Sequence, residues 1–366
     1  MRRILLATVF LCASAAAAAP GEDETATVTG WEGFFGPGQV TGEWLERRHP
    51  GLALGVVHAP RERVVKLVLP GPEIAQPEAE VLQRHARYCG QSEVRAWNEA
   101  LCASLDSRSC SDGICRFRDF GNCSGFLWSD SAVLTAAHCV AALASDEGFR
   151  RDAQVLRPGR DSRPEVFPME SIILGKRDFA HHGVAVEENC PVDAALVSIS
   201  APGVAPWPTA PLPERGALLF AWGFPRVDSR PVSSLLFYSY AQVPGTSALT
   251  VGRMVEPNAA GLPLCNVDGR QENWALRGPC PVGPVELDGG RTTWRGPILI
   301  SPFLHSTDMM SGLSGAPIFD TAGRLVGLNA TVLAQVDPRQ TYSPATRGVA
   351  TPIGVVLRAL GLAPAE

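Results

Sequence analysis

Gly312-Leu313-Ser314-Gly315-Ala316-Pro317 sets a serine between two glycines, just ahead of a proline. Glycine reaches backbone angles that other residues avoid, so such a segment turns sharply and can bring amide groups close to a bound carbonyl. Gly and Ser are also ordinary turn residues, and the segment alone does not separate a nucleophile from a loop. Serine is a poor nucleophile at neutral pH. It needs an imidazole to take its proton and a carboxylate to hold that imidazole in the right tautomer.

Upstream, Leu134-Thr135-Ala136-Ala137-His138-Cys139 offers the imidazole and Val192-Asp193-Ala194-Ala195-Leu196-Val197 the carboxylate. A lone His is most often a packed or capping residue. Here Ala132-Val133-Leu134 reads as a buried strand leading into the His138 turn. Asp193 heads the apolar run Ala194 to Ile199, whereas Asp178, in Lys176-Arg177-Asp178-Phe179, lacks that follow-on. Asp193 is therefore the preferred orienting acid.

In chain order and local wording, these three stretches resemble the chymotrypsin-like (trypsin-like) serine peptidases, in which His precedes Asp and Asp precedes Ser. The resemblance covers roughly residues 105 to 360. It implies an all-β fold of two six-stranded antiparallel barrels with the triad His138, Asp193 and Ser314 in the cleft between them. It also implies an oxyanion hole from the amides of Gly312 and Ser314, and a disulfide between Cys123 and Cys139 that closes the loop carrying the base. In the chain-entropy view, a bridge around a loop of this size contributes roughly 3 kcal/mol.

The same segment departs from the trypsin pattern. Where activated trypsin-like enzymes carry an Asp immediately before the serine, this chain has Leu313, so activation through an ion pair to a new amino terminus is not available. His305-Ser306-Thr307-Asp308-Met309-Met310-Ser311, with Gly223-Phe224-Pro225, looks more like the glutamyl endopeptidase branch and its bacterial relatives. Asp308 stands at the spacing of the acid that binds Arg or Lys in trypsin, yet that branch tolerates Asp there without basic specificity. Asn329 replaces the His that glutamyl specificity uses, and Val332 falls where a pocket-wall Gly is usual. The substrate pocket is thus assigned to Asp308, Asn329 and Val332, with the preferred residue left open between basic and small side chains.

The remainder of the chain is compatible with that chemistry. At 366 residues it exceeds one ordinary domain, and 45% hydrophobic content with 36 Gly and 31 Pro suits a folded, turn-rich protein. Net charge is −5, and Arg and Lys are scattered rather than arrayed in a stripe, so nothing points to a nucleic-acid partner. Met1-Arg2-Arg3, the apolar run Ile4 to Leu11 and the tract Ala13 to Ala19 have the three regions of a secretory signal peptide. Its apolar core is too short to span a bilayer, and no later run is long enough, so no membrane anchor is expected. A secreted or periplasmic location follows, with a protein or peptide as substrate and no cofactor.

That location suits the cysteines, which keep disulfides in an oxidising milieu. Ten are present, and Cys12 leaves with the signal. Beyond Cys123 with Cys139, Cys265 with Cys280 is expected, because both sit in the turn-rich stretch between the Asp and Ser segments. Cys89, Cys102, Cys110, Cys115 and Cys190 are odd in number, their pairing open. Cys110 and Cys115 lack partners at structural-zinc spacing, so no metal site is expected.

Three segments follow: a signal peptide at 1–19, an N-terminal extension at 20–105 and a peptidase domain at 106–366. In the extension, which reads as a propeptide or accessory subdomain, Leu52 to His58 and Val64 to Leu69 suggest a hairpin. Val94, Trp97, Leu101 and Leu105 share one face of a helix from Glu93 to Leu105. From about Cys110 short apolar runs alternate with Gly, Pro and Asp, the pattern of an all-β barrel or sandwich, and a helix is expected from Pro352 to Leu362. The functional expectation is a serine endopeptidase. Its rival is a catalytically silent binding or regulatory protein on a peptidase scaffold.

Overall fold

The computed structural model describes residues 40–129, 131–145, 147–159, 163–175, 192–201, 204–225, 247–257, 264–266, 274–276, 285–287, 291–293, 298–299, 302–307, 312–333 and 347–362. The described residues open with α1 (Gly42–Arg48), α2 (Leu54–His58), a 3₁₀ turn (Ala59–Arg63) and β1 (Val64–Pro77). Three helices follow, α3 (Glu78–Cys89), α4 (Ser92–Ala96) and α5 (Glu99–Asp106), then β2 (Ser109–Ser111), β3 (Ile114–Ser129) and β4 (Ala132–Thr135). After α6 (Ala137–Ser145) and α7 (Glu147–Asp152) come β5 (Gln154–Pro158), β6 (Pro164–Pro168), β7 (Ser171–Gly175) and β8 (Val192–Ser198). The second half holds β9 (Leu218–Gly223), β10 (Ala248–Glu256), β11 (Leu264–Asn266), β12 (Trp274–Leu276), β13 (Val285–Leu287), β14 (Arg291–Thr293) and β15 (Ile298–Leu299). It ends with β16 (Phe303–His305), β17 (Pro317–Asp320), β18 (Leu325–Leu333), β19 (Arg347–Pro352) and α8 (Ile353–Ala359).

The fold is mostly β. Strands β10, β16, β19, β18, β17 and β9 close into a six-stranded barrel whose lumen is filled by Leu219, Ala221, Met254, Phe303, Ile318, Val326 and Ala350. The second layer is an 11-stranded sheet running β12-β11-β15-β8-β4-β3-β1-β5-β6, with β2 on β3 and β7 on β8. Its apolar alternation sorts the faces. Val65 and Leu67 of β1 pack with Leu127, Val133, Val155 and Val197 on one side, while Val64 and Val68 face a larger core that also takes in Trp97, Trp222, Phe224 and Phe319. That larger core joins sheet to barrel, and α8 adds Ile353, Val355, Val356 and Leu357 to it, as the expected terminal helix should.

The described part of the extension, from residue 40 on, is built into this frame. β1 pairs antiparallel with β3 from Val64 opposite Phe126 to Pro77 opposite Ile114, with a register shift between Pro70 and Glu73. Trp222 of the barrel donates its indole N–H to the Val57 carbonyl at 2.7 Å, and Leu45, Leu52 and Val57 lie in the shared core.

Two local expectations are corrected here. Leu52 to His58 is no hairpin arm, because Leu54–His58 is a helix that runs into the 3₁₀ turn at Pro60. A short apolar run does not tell strand from helix by periodicity, and here the docking of Val57 against Trp222 decides. The single helix from Glu93 is two, α4 and α5, broken at Asn98. The Asn98 amide turns back to donate to the Val94 carbonyl at 2.8 Å and accepts from Lys66 Nζ at 2.7 Å, contacts that compete with continuing the helix. Disulfides join Cys89 to Cys102 and Cys110 to Cys115, leaving Cys190 outside the described residues. Cys280 also lies outside them, and with it the expected partner of Cys265.

Candidate active site

β4 and β8 lie side by side, Thr135 opposite Ala195, and this pairing brings His138 and Asp193 to one place. The chain leaves β4 at Ala136 and turns at once into α6, so His138 stands in the first turn of that helix. Its Nδ1 lies 3.0 Å from Asp193 Oδ2 and 3.1 Å from Oδ1, and its backbone N–H donates to Oδ1 at 3.0 Å. The Asp193 side chain is fully buried and that of His138 is 9% exposed. A carboxylate accepts, so a hydrogen bond donated by Nδ1–H to Asp193 would leave the lone pair of a neutral imidazole on Nε2. Cys123 and Cys139 are bonded, tying α6 to β3.

Ser314 lies in the turn between β16 and β17, buried at 5% exposure. Gly312 and Gly315 take φ of +93° and +79°, angles that side chains with a Cβ rarely adopt. At Gly315 there is no room either, because a Cβ would come within 2.2 Å of the Ser124 carbonyl oxygen and 2.3 Å of Thr135 Oγ1. The turn is pinned from both layers. Gly315 N–H donates to the Asn329 carbonyl at 2.7 Å and Asn329 N–H to the Ala316 carbonyl at 2.8 Å, while Ser124 N–H donates to the Ser314 carbonyl at 2.8 Å. Cys139 Sγ lies 3.9 Å from that same Ser314 carbonyl oxygen, so the start of α6 abuts the turn. The Ser314 hydroxyl donates to the Ala330 carbonyl at 3.3 Å.

Ser124 was not singled out by sequence reasoning, yet it is the keystone of this arrangement. Its Oγ donates to the Gly312 carbonyl at 2.8 Å and accepts from Phe224 N–H at 2.8 Å, and its carbonyl accepts from Thr135 Oγ1 at 2.8 Å. The available signal was a hydroxyl inside the apolar stretch Cys123-Ser124-Gly125-Phe126-Leu127, a polar group that needs partners wherever it is buried. Leu313, in the place of the usual acid, is 1% exposed and packs where Gly223 has no Cβ, a position whose Cβ would meet Leu313 Cδ2 at 2.6 Å. Apolar packing and the Ser124 bonds thus hold the turn in this chain.

The expected pocket residues are only partly within view. Asn329 is buried on β18 behind the Ser314 turn, Asp308 lies outside the described residues, and Val332 belongs to β18 with its side chain outside them. Nearby, His305 is fully buried, its Nδ1 2.6 Å from Thr307 Oγ1, and burial pushes its pKa down to about 3, so it is neutral. Sequence reasoning noted His305 within the serine segment without assigning it a place. Alternation with Phe303 on one strand was the signal.

The crystal structure of Deg5 is similar at 16% identity and a TM-score of 0.40, over 83% of this chain and 90% of that one. The active form of the Rv3671c protease from M. tuberculosis is similar at 16% identity and 0.41, over 85% and 86%. The MamO protease domain from Magnetospirillum magneticum is similar at 14% and 0.37, over 65% and 87%. No curated protein is matched by sequence. The family model described as the trypsin-like peptidase domain matches residues 123–328, a span that includes His138, Asp193 and Ser314 and exceeds half of the chain. The chain belongs to the trypsin-like peptidase domain family.

Proposed function

We propose that the protein is a serine endopeptidase acting outside the cytoplasm. Ser314 Oγ attacks a peptide carbonyl and passes its proton to His138 Nε2, which then gives it to the leaving amine. Asp193 holds the ring and stabilises the imidazolium, and the amides of Gly312 and Ser314 donate to the oxyanion as its charge develops. Water, deprotonated by the same imidazole, resolves the acyl-enzyme and returns Ser314 to its resting state. The observation that carries this reading is the double contact of His138, by ring and backbone, with a fully buried carboxylate beside a pinned Gly-Leu-Ser-Gly turn.

Residues 1–19 act in this proposal as a signal peptide, and the three disulfides among the described residues favour an oxidising compartment. No helix among the described residues is long and apolar enough to cross a membrane. The extension at 20–105 serves as an accessory subdomain rather than a removable propeptide, since β1 supplies a strand beside β3 and Val57 accepts from Trp222. The test is turnover of a denatured protein mixture with mass mapping of the released peptides. Ser314→Ala should remove turnover by a factor on the order of 10⁴ or more. Turnover that survives the substitution, or none in the folded wild type, rejects the proposal.

A further inference from the structure

The Ser314 turn is held by apolar packing on Gly223-Phe224 and by the bonds of Ser124, and both supports lead to one side chain of the extension. A Cβ on Gly223 would come within 2.6 Å of Leu313 Cδ2, 2.9 Å of Ala316 Cβ and 2.9 Å of Ser124 Oγ, so this segment lies directly against the turn. Phe224, fully buried, is held at three points. Its N–H donates to Ser124 Oγ at 2.8 Å, its carbonyl accepts from Asn122 Nδ2 at 2.7 Å, and its ring centroid lies 5.2 Å from that of Trp97, the planes inclined at 33°.

Trp97, 4% exposed, stands at the break between α4 and α5. Its carbonyl accepts from Lys66 Nζ at 2.8 Å, and Lys66 pairs in register with Ser124 across β1 and β3. The contacts close a ring that runs from Ser124 through Lys66, Trp97 and Phe224 back to Ser124. From the same Ser124, Oγ donates to the Gly312 carbonyl and N–H to the Ser314 carbonyl. Protein interiors are close-packed and transmit strain, so a gap opened at Trp97 is passed along the ring to the turn.

We propose that Trp97 is a positioning residue for the Ser314 turn: through its contact with Phe224 the extension holds Gly312 and Ser314 in their working geometry, in the place of the ion pair that Leu313 removes. The effect on turnover rests on the peptidase reading. The device belongs to this chain's own additions, since Lys66, Trp97 and Asn122 all lie outside the span 123–328 shared with the family. A role in burial alone would instead weaken the shared core evenly and leave the kcat of the folded protein intact.

Trp97→Ala, Trp97→Leu and Trp97→Phe are compared in the full-length protein by hydrogen–deuterium exchange and by steady-state kinetics. In Trp97→Ala the N–H groups of Gly315 and Ala316, bonded to the Asn329 and Leu313 carbonyls, should exchange at least about 10-fold faster. The Asp320 N–H, bonded to the Arg324 carbonyl at the far end of β17, should keep its rate. The kcat should fall about 10–100-fold with KM within about twofold, because the oxyanion contact forms in the transition state. Trp97→Phe, which keeps a ring against Phe224, should bring both readouts to within about threefold of wild type. Combined with Ser124→Ala, Trp97→Ala should lower kcat by less than the product of the two single effects, since both act through Gly312. Trp97→Leu should show the same split and decides the matter if Trp97→Ala fails to fold. A folded wild type without turnover rejects the peptidase reading separately, and the exchange contrast alone then decides whether Trp97 holds the turn. Exchange at Gly315 and Ala316 that rises no more than at Asp320, or an unchanged kcat in the folded variants of an active enzyme, overturns the proposal.

Discussion

Replacing Ser124 with alanine removes one oxygen from beneath the Ser314 turn. Oγ bonds both the Gly312 carbonyl and Phe224 N–H at 2.8 Å, and Ser124 is fully buried, so both groups are stranded where no exposed water replaces the hydroxyl. Each stranded group costs about 1–3 kcal/mol, which places the loss of stability at about 2–6 kcal/mol. The Ser124 N–H bond to the Ser314 carbonyl survives, so the turn loosens without detaching. Gly312 is also a proposed oxyanion donor, and full loss of one such donor costs about 3 kcal/mol of barrier. Partial misplacement should therefore lower kcat about 10–100-fold. KM should change little, because the oxyanion contact forms in the transition state. Urea unfolding and steady-state kinetics on the same preparation check both numbers. An unfolding midpoint and a kcat both indistinguishable from wild type would refute the assignment of Ser124 as the brace of this turn.

Three further substitutions probe other parts of the molecule. Gly315→Ala forces a Cβ into the Ser124 carbonyl at a positive φ, and should abolish turnover by at least about 100-fold through displacement of Ser314, as read by kcat/KM; near-normal activity would contradict the role assigned to that tight turn. Asp193→Asn keeps the shape but favours the wrong His138 tautomer, so kcat should fall by about 10⁴ with folding retained by circular dichroism. His305 titrates near 6.5 when unfolded but about 3 when folded, so below pH 6.5 the unfolded chain binds a proton that the folded one refuses. Stability should fall as pH drops from about 6.5 towards 3, by up to about 5 kcal/mol, and His305→Gln should flatten that slope in urea titrations at each pH. An unchanged slope would rule His305 out as a source of acid lability.

Legibility in the sequence divided along the line between local and distant interactions. His138, Asp193 and Ser314 each sit in a short run whose composition declares a strand end or a glycine turn, so their neighbours in the chain suffice to single them out as candidates. The barrel strands β9, β16, β17 and β18 were readable for the same reason, as apolar runs broken by Gly and Pro, whereas β10 and β19 were not singled out. Ser124 was not, since its partners Gly312 and Phe224 lie 188 and 100 residues away, and nothing near it in the chain reports them. The extension misled for a related cause. Leu54–His58 is short enough for either period, and its helical form is chosen by contact with Trp222, far along the chain. Asn98 breaks the helix through Lys66 on β1, which helical spacing of Val94, Trp97, Leu101 and Leu105 does not reveal. Pairing of Cys89 with Cys102 and of Cys110 with Cys115 became visible only when α3 met α5 and β2 met β3.

The most direct test of the proposed mechanism is covalent labelling of the folded protein with an active-site fluorophosphonate, located by peptide mass mapping. One adduct is expected, on Ser314, absent in Ser314→Ala and strongly slowed in His138→Ala. A folded wild-type protein that takes up no label, or takes it up on another residue, would contradict the mechanism.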